Sequence, residues 1–183
     1  MHQPSSTVIL MGSRRNIVLI GMPGAGKSTV GVLLAKRTRR DFIDTDVLIQ
    51  TAQGRSLQQI VDQDGYQALC RIEASLILGL RVENHVIATG GSAVYSEEAM
   101  SHLEPNGVTV FLQVDLATLQ RRIDDLDTRG IARRPGQSLG DLYAERAPLY
   151  AEYADLTVDC THLDQEQACR RIWQALESML STF

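Results

Sequence analysis

Residues 21–28, Gly-Met-Pro-Gly-Ala-Gly-Lys-Ser, form a complete phosphate-binding loop pattern. An apolar run, 16–20, precedes the loop and predicts a buried strand, and a helical run from 28 to about 39 follows it. Glycines let successive N–H groups turn toward an anion, and a helix start adds unpaired N–H groups and partial positive charge. Lys27 can reach the β- and γ-phosphates, and Ser28 can offer its hydroxyl to Mg²⁺. We therefore expect a nucleoside triphosphate site, although kinases, GTPases and motor ATPases share this loop.

The composition of the chain limits the classes of protein to which it could belong. The 183 residues are 44% apolar and 22% charged, with a net charge of −4, so we expect no broad nucleic-acid footprint. The apolar runs are strand-sized and too short to cross a bilayer. We expect a flexible tail at 1–14 and a single domain at 15–183. Three scattered cysteines favour a reducing cytoplasm, and we expect a cytoplasmic monomer without nucleic-acid or membrane partners.

Strand-like and helical runs alternate along the chain. The predicted strands are 16–20, 41–44, 85–89, 108–112 and 156–158. The predicted helices are 28–39, 47–53, 56–64, 67–84, 96–103, 115–126, 139–153 and 164–180. This alternation predicts an α/β fold with a mainly parallel sheet and helices on both faces. Ligands bind outside the carboxyl ends of such strands, so the phosphate loop, Asp44, Asp46 and the pair Gly90-Gly91 are expected to line one crevice.

Two acids follow the second predicted strand. Asp44 and Asp46 are one residue apart and can face the same cleft. One could support the Mg²⁺ shell while the other orients or deprotonates a hydroxyl. The alternative is that Asp46 only caps the helix beginning at Val47.

Gly90-Gly91-Ser92 forms a second corner after a strand. Glycine lets a substrate approach the backbone, where free N–H groups can hold a carboxylate or phosphate. The alternative is a tight turn without a ligand.

Residues 127–137 are charged, carry three arginines and predict a mobile lid. An arginine from a closing lid stabilises the charge on a transferring phosphoryl group, and closure excludes water. The alternative is a solvated basic loop. Arg146, on the next helix, can bind an anionic substrate with a bidentate guanidinium, or it can form a surface ion pair with a neighbouring glutamate.

Taken together, these motifs resemble those of the shikimate kinases, which are small kinases with a phosphate-binding loop. The similarity runs from residue 16 to about 180. It rests on the loop and following residues 21–31, on Phe-Ile-Asp-Thr-Asp at 42–46 and on Val-Ile-Ala-Thr-Gly-Gly at 86–91. It continues through Arg-Pro at 134–135, Arg-Ala-Pro-Leu-Tyr at 146–150 and Leu-Thr-Val-Asp at 156–159.

The resemblance implies a three-layer kinase fold with a five-stranded parallel sheet in the order 2-3-1-4-5. It implies transfer of the γ-phosphoryl group of ATP, with Mg²⁺, to a hydroxyl on a small carboxylated ring. Asp46 would contact the ring hydroxyls and act as base, Asp44 would lie near the metal with Ser28, Arg134 would be the lid arginine and Arg146 would bind the carboxylate. Arg122 and 161–164 would flank the adenine. The expected nucleotide contacts are Gly21, Pro23, Gly24, Ala25, Gly26, Lys27, Ser28, Thr29 and Arg122.

The acceptor side departs from the family pattern. Gly65 and Glu73 match, but Cys70 stands where the family has a substrate-binding arginine. Arg71 is adjacent, yet one helical step of about 100° points it elsewhere. Ser92 replaces the third glycine of a triple, and Gly-Gln at 136–137 replaces an apolar pair. Losing one charge-assisted hydrogen bond to a carboxylate costs roughly 1.5–3 kcal/mol.

The sequence therefore predicts an ATP- and Mg²⁺-dependent kinase of this family that phosphorylates a small hydroxylated acceptor. The expected acceptor contacts are Asp46, Cys70, Gly90, Gly91, Ser92 and Arg146. Shikimate is the leading acceptor. Three alternatives stay open: another small-metabolite acceptor, a shikimate kinase in which Arg71 compensates for Cys70, and a non-catalytic ATP-binding regulator. A GTPase or a nucleic-acid-directed kinase is disfavoured by the acidic charge and by the lack of an Asn-Lys-x-Asp motif.

Overall fold

A five-stranded parallel sheet organises the chain in a computed structural model that describes residues 16–123 and 130–180. The strand order is β2-β3-β1-β4-β5, as predicted. The bounds are β1 Asn16–Ile20, β2 Asp41–Asp44, β3 His85–Ala88, β4 Gly107–Gln113 and β5 Leu156–Asp159. The predicted tail at 1–14, the end of the sixth predicted helix and the first part of the predicted lid, 127–129, lie outside the described residues.

Eight α-helices and two short 3-10 helices, Ala93–Tyr95 and Glu104–Asn106, occupy the described part of the chain. The α-helices are α1 Lys27–Thr38, α2 Thr45–Gln53, α3 Leu57–Asp64, α4 Tyr66–Gly79, α5 Glu97–Leu103, α6 Leu116–Arg122, α7 Leu139–Tyr153 and α8 Gln165–Leu180. Short polar side chains set several starts, because Ser56, Ser96, Asp115 and Ser138 each accept a backbone N–H of the first turn. Within 16–123 and 130–180, no helix combines the length and apolarity required to cross a membrane.

β1 is the centre of the sheet and of the core. Ile17, Val18, Leu19 and Ile20 have no exposed surface, and β3 and β4 pair with β1 on its two sides. A strand buried on both faces has to be continuously apolar, which explains the run before the phosphate loop. The phosphate loop therefore begins at the carboxyl end of the central, buried strand, next to the carboxyl ends of β3 and β4.

The helix predicted at 67–84 ends early, at Gly79. Leu80 has an extended backbone, and Leu80 and Val82 pack against the core as partly buried side chains. The Asn16 amide donates to the Val82 carbonyl at 2.8 Å and accepts from the His85 N–H at 2.9 Å. Contacts with β1 thus hold residues 80–84 outside the helix, with Asn84 in a left-handed conformation (φ +60°), which explains why α4 ends before them.

Candidate active site

The phosphate loop has the backbone form that an anion site requires. Gly24 and Gly26 have φ angles of +81° and +94°, in the left-handed region that favours glycine. Gly26 is the residue before α1, and no side chain caps the helix there. Ser28 and Thr29 in the first turn are exposed. The uncapped N–H groups of the first turn are thus left for an external acceptor, and a phosphate provides one.

Lys27 is held inside the loop. Its Nζ donates to the Gly21 carbonyl at 2.7 Å and to the Met22 carbonyl at 3.0 Å, and the residue is 8% exposed. Burial lowers the pKa of Lys27 to about 8, and the nearby carboxylates of Asp46 and Glu73 oppose this effect. An anion in the loop would favour the charged lysine further, so the residues fit a triphosphate.

A cavity of about 440 Å³ opens beside the loop. Eleven of the predicted site residues line it: Pro23, Gly24, Gly26, Lys27, Ser28, Thr29, Asp46, Gly91, Ser92, Arg122 and Arg146. Gly21 and Ala25 lie in the loop itself, where the Ala25 N–H donates to the Met22 carbonyl. Arg122 Nη1 donates to the Gly24 carbonyl at 3.5 Å. Residues predicted to bind the nucleotide and residues predicted to bind the acceptor therefore line the same cavity.

The carboxylates of Asp44 and Asp46 have different surroundings, because one caps a helix and the other lines the cavity. Asp44 is the N-cap of α2, because its Oδ1 accepts the N–H groups of Asp46 at 3.0 Å and Val47 at 3.3 Å. The alternative that Asp46 caps a helix starting at Val47 is therefore wrong, since α2 begins at Thr45. The Asp46 side chain lines the cavity, and burial raises its pKa while Lys27 opposes the shift. An available carboxylate beside Lys27 suits proton transfer.

Of the two predicted magnesium ligands, Ser28 and Asp44, the structure supports the first more directly than the second. Within the described ranges, no group of three or more His, Cys, Asp or Glu side chains could hold a metal by itself. Magnesium bound with a nucleotide needs only one or two protein oxygens, because phosphates and water supply the others. The exposed Ser28 hydroxyl lines the cavity and fits this role. The metal role of Asp44, whose side chain caps α2, stays a prediction.

Glu73 is a buried carboxylate at the back of the cavity. It is 1% exposed, and its Oε2 accepts a hydrogen bond from the Ser92 hydroxyl. Burial raises the pKa of Glu73 to about 7; the Ser92 hydrogen bond and the charges of Arg146 and Lys27 oppose the shift, and Asp46 adds to it. The Thr45 hydroxyl accepts the Gly90 N–H at 2.8 Å, which fixes the glycine corner between Asp46 and Glu73.

Arg146 is fully buried on α7 and lines the same cavity. Its Nε donates to the Tyr95 hydroxyl at 3.0 Å, its Nη2 donates to the Ala132 carbonyl, and its guanidinium lies 4.9 Å from the centre of the Tyr95 ring. The predicted alternative of a surface ion pair is wrong, because Glu145 bonds to Arg134 instead.

Cys70 and Arg71 lie on different sides of α4. The Cys70 thiol is half-buried next to Ser92, and burial raises its pKa, so it is neutral at pH 7. Arg71 lines a second cavity of about 480 Å³, together with Arg133 and Arg134. The structure therefore does not place Arg71 where it would compensate for Cys70.

The described part of the predicted lid, 130–137, covers one side of the site. Gly130, Ile131 and Ala132 line the first cavity. Arg134 does not: its Nη2 pairs with Glu145, which also accepts from Gln137 at 2.9 Å. The side chain of Arg134 is 60% exposed. The predicted lid arginine, Arg134, therefore lies outside the first cavity in this structure.

Sequence reasoning missed several cavity or supporting residues. These are Thr45, Leu57, Leu69, Tyr95, Ile131, Ala132 and Gln165. Glu73 was noted only as a pattern match. Its position three residues after Cys70 on one helix, where i and i+3 share a face, was the available signal. Tyr95 and Ala132 bind Arg146 across separations that local patterns do not report.

Comparisons with known proteins agree with this geometry. The family model described as shikimate kinase matches residues 23–177. A shikimate kinase from Dechloromonas aromatica is 38% identical over 164 residues, covering 88% of this chain and 90% of the relative. The structure of shikimate kinase from Acinetobacter baumannii in complex with shikimate aligns with a TM-score of 0.81 and 28% identity, covering 94% and 98% of the two chains. The shikimate kinase from Aquifex aeolicus aligns at 0.78 with 32% identity, covering 90% and 97%.

Proposed function

Because the chain belongs to the shikimate kinase family, we propose that it transfers the γ-phosphoryl group of ATP to a hydroxyl of shikimate or a related small hydroxy acid. Family members use ATP with Mg²⁺. One observation carries the proposal for this chain: the buried Lys27 of the phosphate loop and the Asp46 carboxylate line the same cavity.

The loop and α1 bind and orient the nucleotide. The first-turn N–H groups and Lys27 hold phosphate oxygens, and Ser28 supplies a hydroxyl to the metal ion. Magnesium contributes charge neutralisation on the phosphates when it is bound. The remaining predicted loop residues shape the backbone around the phosphates, and Arg122 approaches the loop at Gly24.

The transfer step conserves atoms and charge. The acceptor oxygen forms a bond to the γ-phosphorus, and the bond from that phosphorus to the β–γ bridging oxygen breaks, with its electrons leaving on ADP. Asp46 takes the hydroxyl proton. Arg134 enters from the lid to stabilise the moving charge, and lid closure limits loss of phosphate to water.

The acceptor is a small molecule. We assign Arg146 to binding the carboxylate of the acceptor. The backbone at the corner of Gly90, Gly91 and Ser92 lets the acceptor approach closely, and we place Cys70 at the edge of the pocket. The relative from Acinetobacter baumannii binds shikimate, which supports this acceptor class. The Cys70 position supports the alternative of a changed acceptor. We further propose a cytoplasmic monomer, with domain 15–183 and tail 1–14, that binds neither nucleic acid nor membranes.

Steady-state ADP release with Mg²⁺-ATP tests the proposal. Shikimate and a panel of small hydroxy acids are added separately, and ATP hydrolysis without acceptor is the baseline. We expect at least one acceptor to raise ADP release well above this baseline. Magnesium-ATP binding without stimulation by any acceptor would contradict the proposal and favour a regulatory nucleotide-binding protein.

A further inference from the structure

Glu73 has a carboxylate oxygen that lacks a partner. The residue is 1% exposed and lines the cavity, and Oε2 accepts from Ser92. Oε1 has no hydrogen-bond partner among the described residues, and it is the one buried side-chain polar atom there in this condition. Leaving a buried charged group unpaired costs free energy. A ligand that donates to Oε1 would remove that cost.

Position 70 departs from the family pattern close to this oxygen. Residues 70 and 73 are three apart on α4 and lie on one face of the helix. The family pattern has an arginine at position 70, within reach of a carboxylate at 73. This chain has a neutral thiol there, and Arg71 lines the other cavity. Relative to that pattern, the acceptor side of this chain has one cation fewer and carries both acids, Asp46 and Glu73.

The remaining cations on this side are already engaged. Arg146 uses its Nε on Tyr95 and its Nη2 on Ala132. Lys27 Nζ donates to the carbonyls of Gly21 and Met22, and phosphate oxygens are its expected partners when nucleotide binds. Neither group hydrogen-bonds Glu73 Oε1.

Asp46 faces the same point as Glu73. A Cβ built on Gly90 would lie 2.5 Å from Glu73 Oε1 and 2.6 Å from Asp46 Oδ1. Both carboxylate oxygens therefore lie against Gly90 and within about 5 Å of each other. An ammonium group has three N–H donors and no acceptor, so one such group can bond to both oxygens at once.

We propose that the acceptor carries an ammonium group as well as its carboxylate and hydroxyl, and that Glu73 and Asp46 bind this ammonium jointly, beside Gly90. The acceptor class is then a zwitterionic hydroxy amino acid. This inference rests on the proposed phosphotransferase function and adds the charge of the acceptor to it. Glu73 is the specificity-determining residue, Asp46 also takes the hydroxyl proton, and Cys70 keeps the pocket free of a competing cation.

Matched acceptor pairs test the inference directly. The probes are L-homoserine with γ-hydroxybutyrate, and L-serine with β-hydroxypropionate, so that only the amine differs within a pair. Shikimate, which has no amine, is measured in parallel. We expect kcat/KM, from acceptor-dependent ADP release, to be at least about tenfold higher for the amine-bearing member of one or both pairs, because a charge-assisted hydrogen bond is lost without it.

Two variants test the assignment to Glu73. Glu73→Gln keeps the shape and removes the charge, so the ratio between paired acceptors should fall toward one, whatever happens to the absolute rates. Cys70→Arg puts a cation beside Glu73 and should shift the ratio toward the amine-free acids and shikimate. Arg71→Gln on the opposite side of α4 is the matched control and should leave the ratio unchanged. Thermal melting with and without Mg²⁺-ATP establishes that each variant folds and binds nucleotide.

The outcomes separate the inference from the proposed function. Turnover of shikimate or an amine-free acid at least as efficient as that of every amine-bearing partner overturns the inference and leaves the phosphotransferase intact. A ratio that Glu73→Gln and Cys70→Arg do not change also overturns it. Turnover of no acceptor at all contradicts both proposals.

Discussion

The proposed chemistry depends on Asp46, because this residue lines the cavity together with Lys27 while the carboxylate of Asp44 caps α2. We predict that Asp46→Asn lowers kcat about 10²- to 10⁴-fold, since an amide cannot take the acceptor proton. Acceptor-dependent ADP release measures the loss, and calorimetry with Mg²⁺-ATP should show nucleotide binding within a few-fold of the parent.

Asp41→Asn is the matched control for this prediction. Asp41 is an exposed acid at the start of β2, the strand that leads into α2, and it does not line the cavity. This control should keep the parental kcat. A folded Asp46→Asn protein with parental activity would remove Asp46 from the role of base.

Glu73 makes a second residue-level prediction, about stability and pH. Its carboxyl pKa is raised from 4.5 to about 7, so the folded state holds this proton more tightly than the unfolded chain. The raised pKa therefore adds to the free energy of unfolding. This contribution is fully present below pH 4.5 and is lost as the pH rises through about 7. Asp46, Lys27 and Arg146 are the charged groups facing Glu73.

Glu73→Gln removes this titration. Relative to the variant, the parent should lose up to about 3 kcal/mol of unfolding free energy between pH 5 and pH 8. Urea unfolding of both proteins at the two pH values measures the difference. The raised pKa would be contradicted if the difference in unfolding free energy between parent and variant were the same at both pH values. It would also be contradicted if the parent gained stability relative to the variant on going to pH 8.

Residue-level prediction from sequence is most direct where one local motif fixes the geometry. The phosphate-loop motif predicts that Lys27 and Ser28 face a crevice, and both line the cavity, because glycine conformations and a helix start are local properties. The sequence pattern placed the start of α2 at Val47 instead of Thr45, and it therefore offered Asp46 instead of Asp44 as a possible N-cap. It also missed that Tyr95 and Ala132 hold Arg146, since these contacts join distant segments.

At the scale of elements, α7 and the strand order were predicted well and the end of α4 was not. Ser138 with Asp141 forms a capping box at the start of α7, a signal visible in the sequence. The end of α4 depends on the Asn16 side chain, which binds Val82 and His85 from 66 and 69 residues away. A helical pattern cannot report such a contact, and residues 80–84 were therefore predicted as helix.

The lid arginine gives a prediction at the same scale. Arg134 pairs with Glu145 outside the cavity, and such an exposed pair contributes only about 0–1 kcal/mol, so lid closure can break it readily. We predict that Arg134→Ala lowers kcat about 10³-fold or more, because the arginine stabilises charge on the transferring phosphoryl group, and that the melting temperature stays within about 2 °C of the parent.

Arg71→Ala serves as the control for the lid, because Arg71 lines the same second cavity on α4. It should keep kcat within about threefold of the parent. Equal losses in the two variants would indicate that Arg134 acts through the general charge of this cavity rather than on the phosphoryl group.

At the scale of the whole molecule, the parallel sheet brings the ends of β1, β2 and β3 together at one edge. The phosphate loop follows β1, Asp46 follows β2, and the corner at Gly90 follows β3. The alternation of strands and helices was enough to predict this convergence. The chemical character of the acceptor was not predictable in the same way, because it depends on which carboxylate and guanidinium groups keep partners once α4, α7 and the lid are packed.

Detection of the phosphorylated product by ³¹P NMR tests the central claim most directly. The protein is incubated with Mg²⁺-ATP and the acceptor that gives the highest rate of ADP release, and Lys27→Met is run in parallel. We predict a new phosphate monoester resonance that grows with ADP in equal amounts for the parent and is absent for Lys27→Met. Formation of ADP with only inorganic phosphate, or no consumption of ATP by the folded parent, would contradict the account.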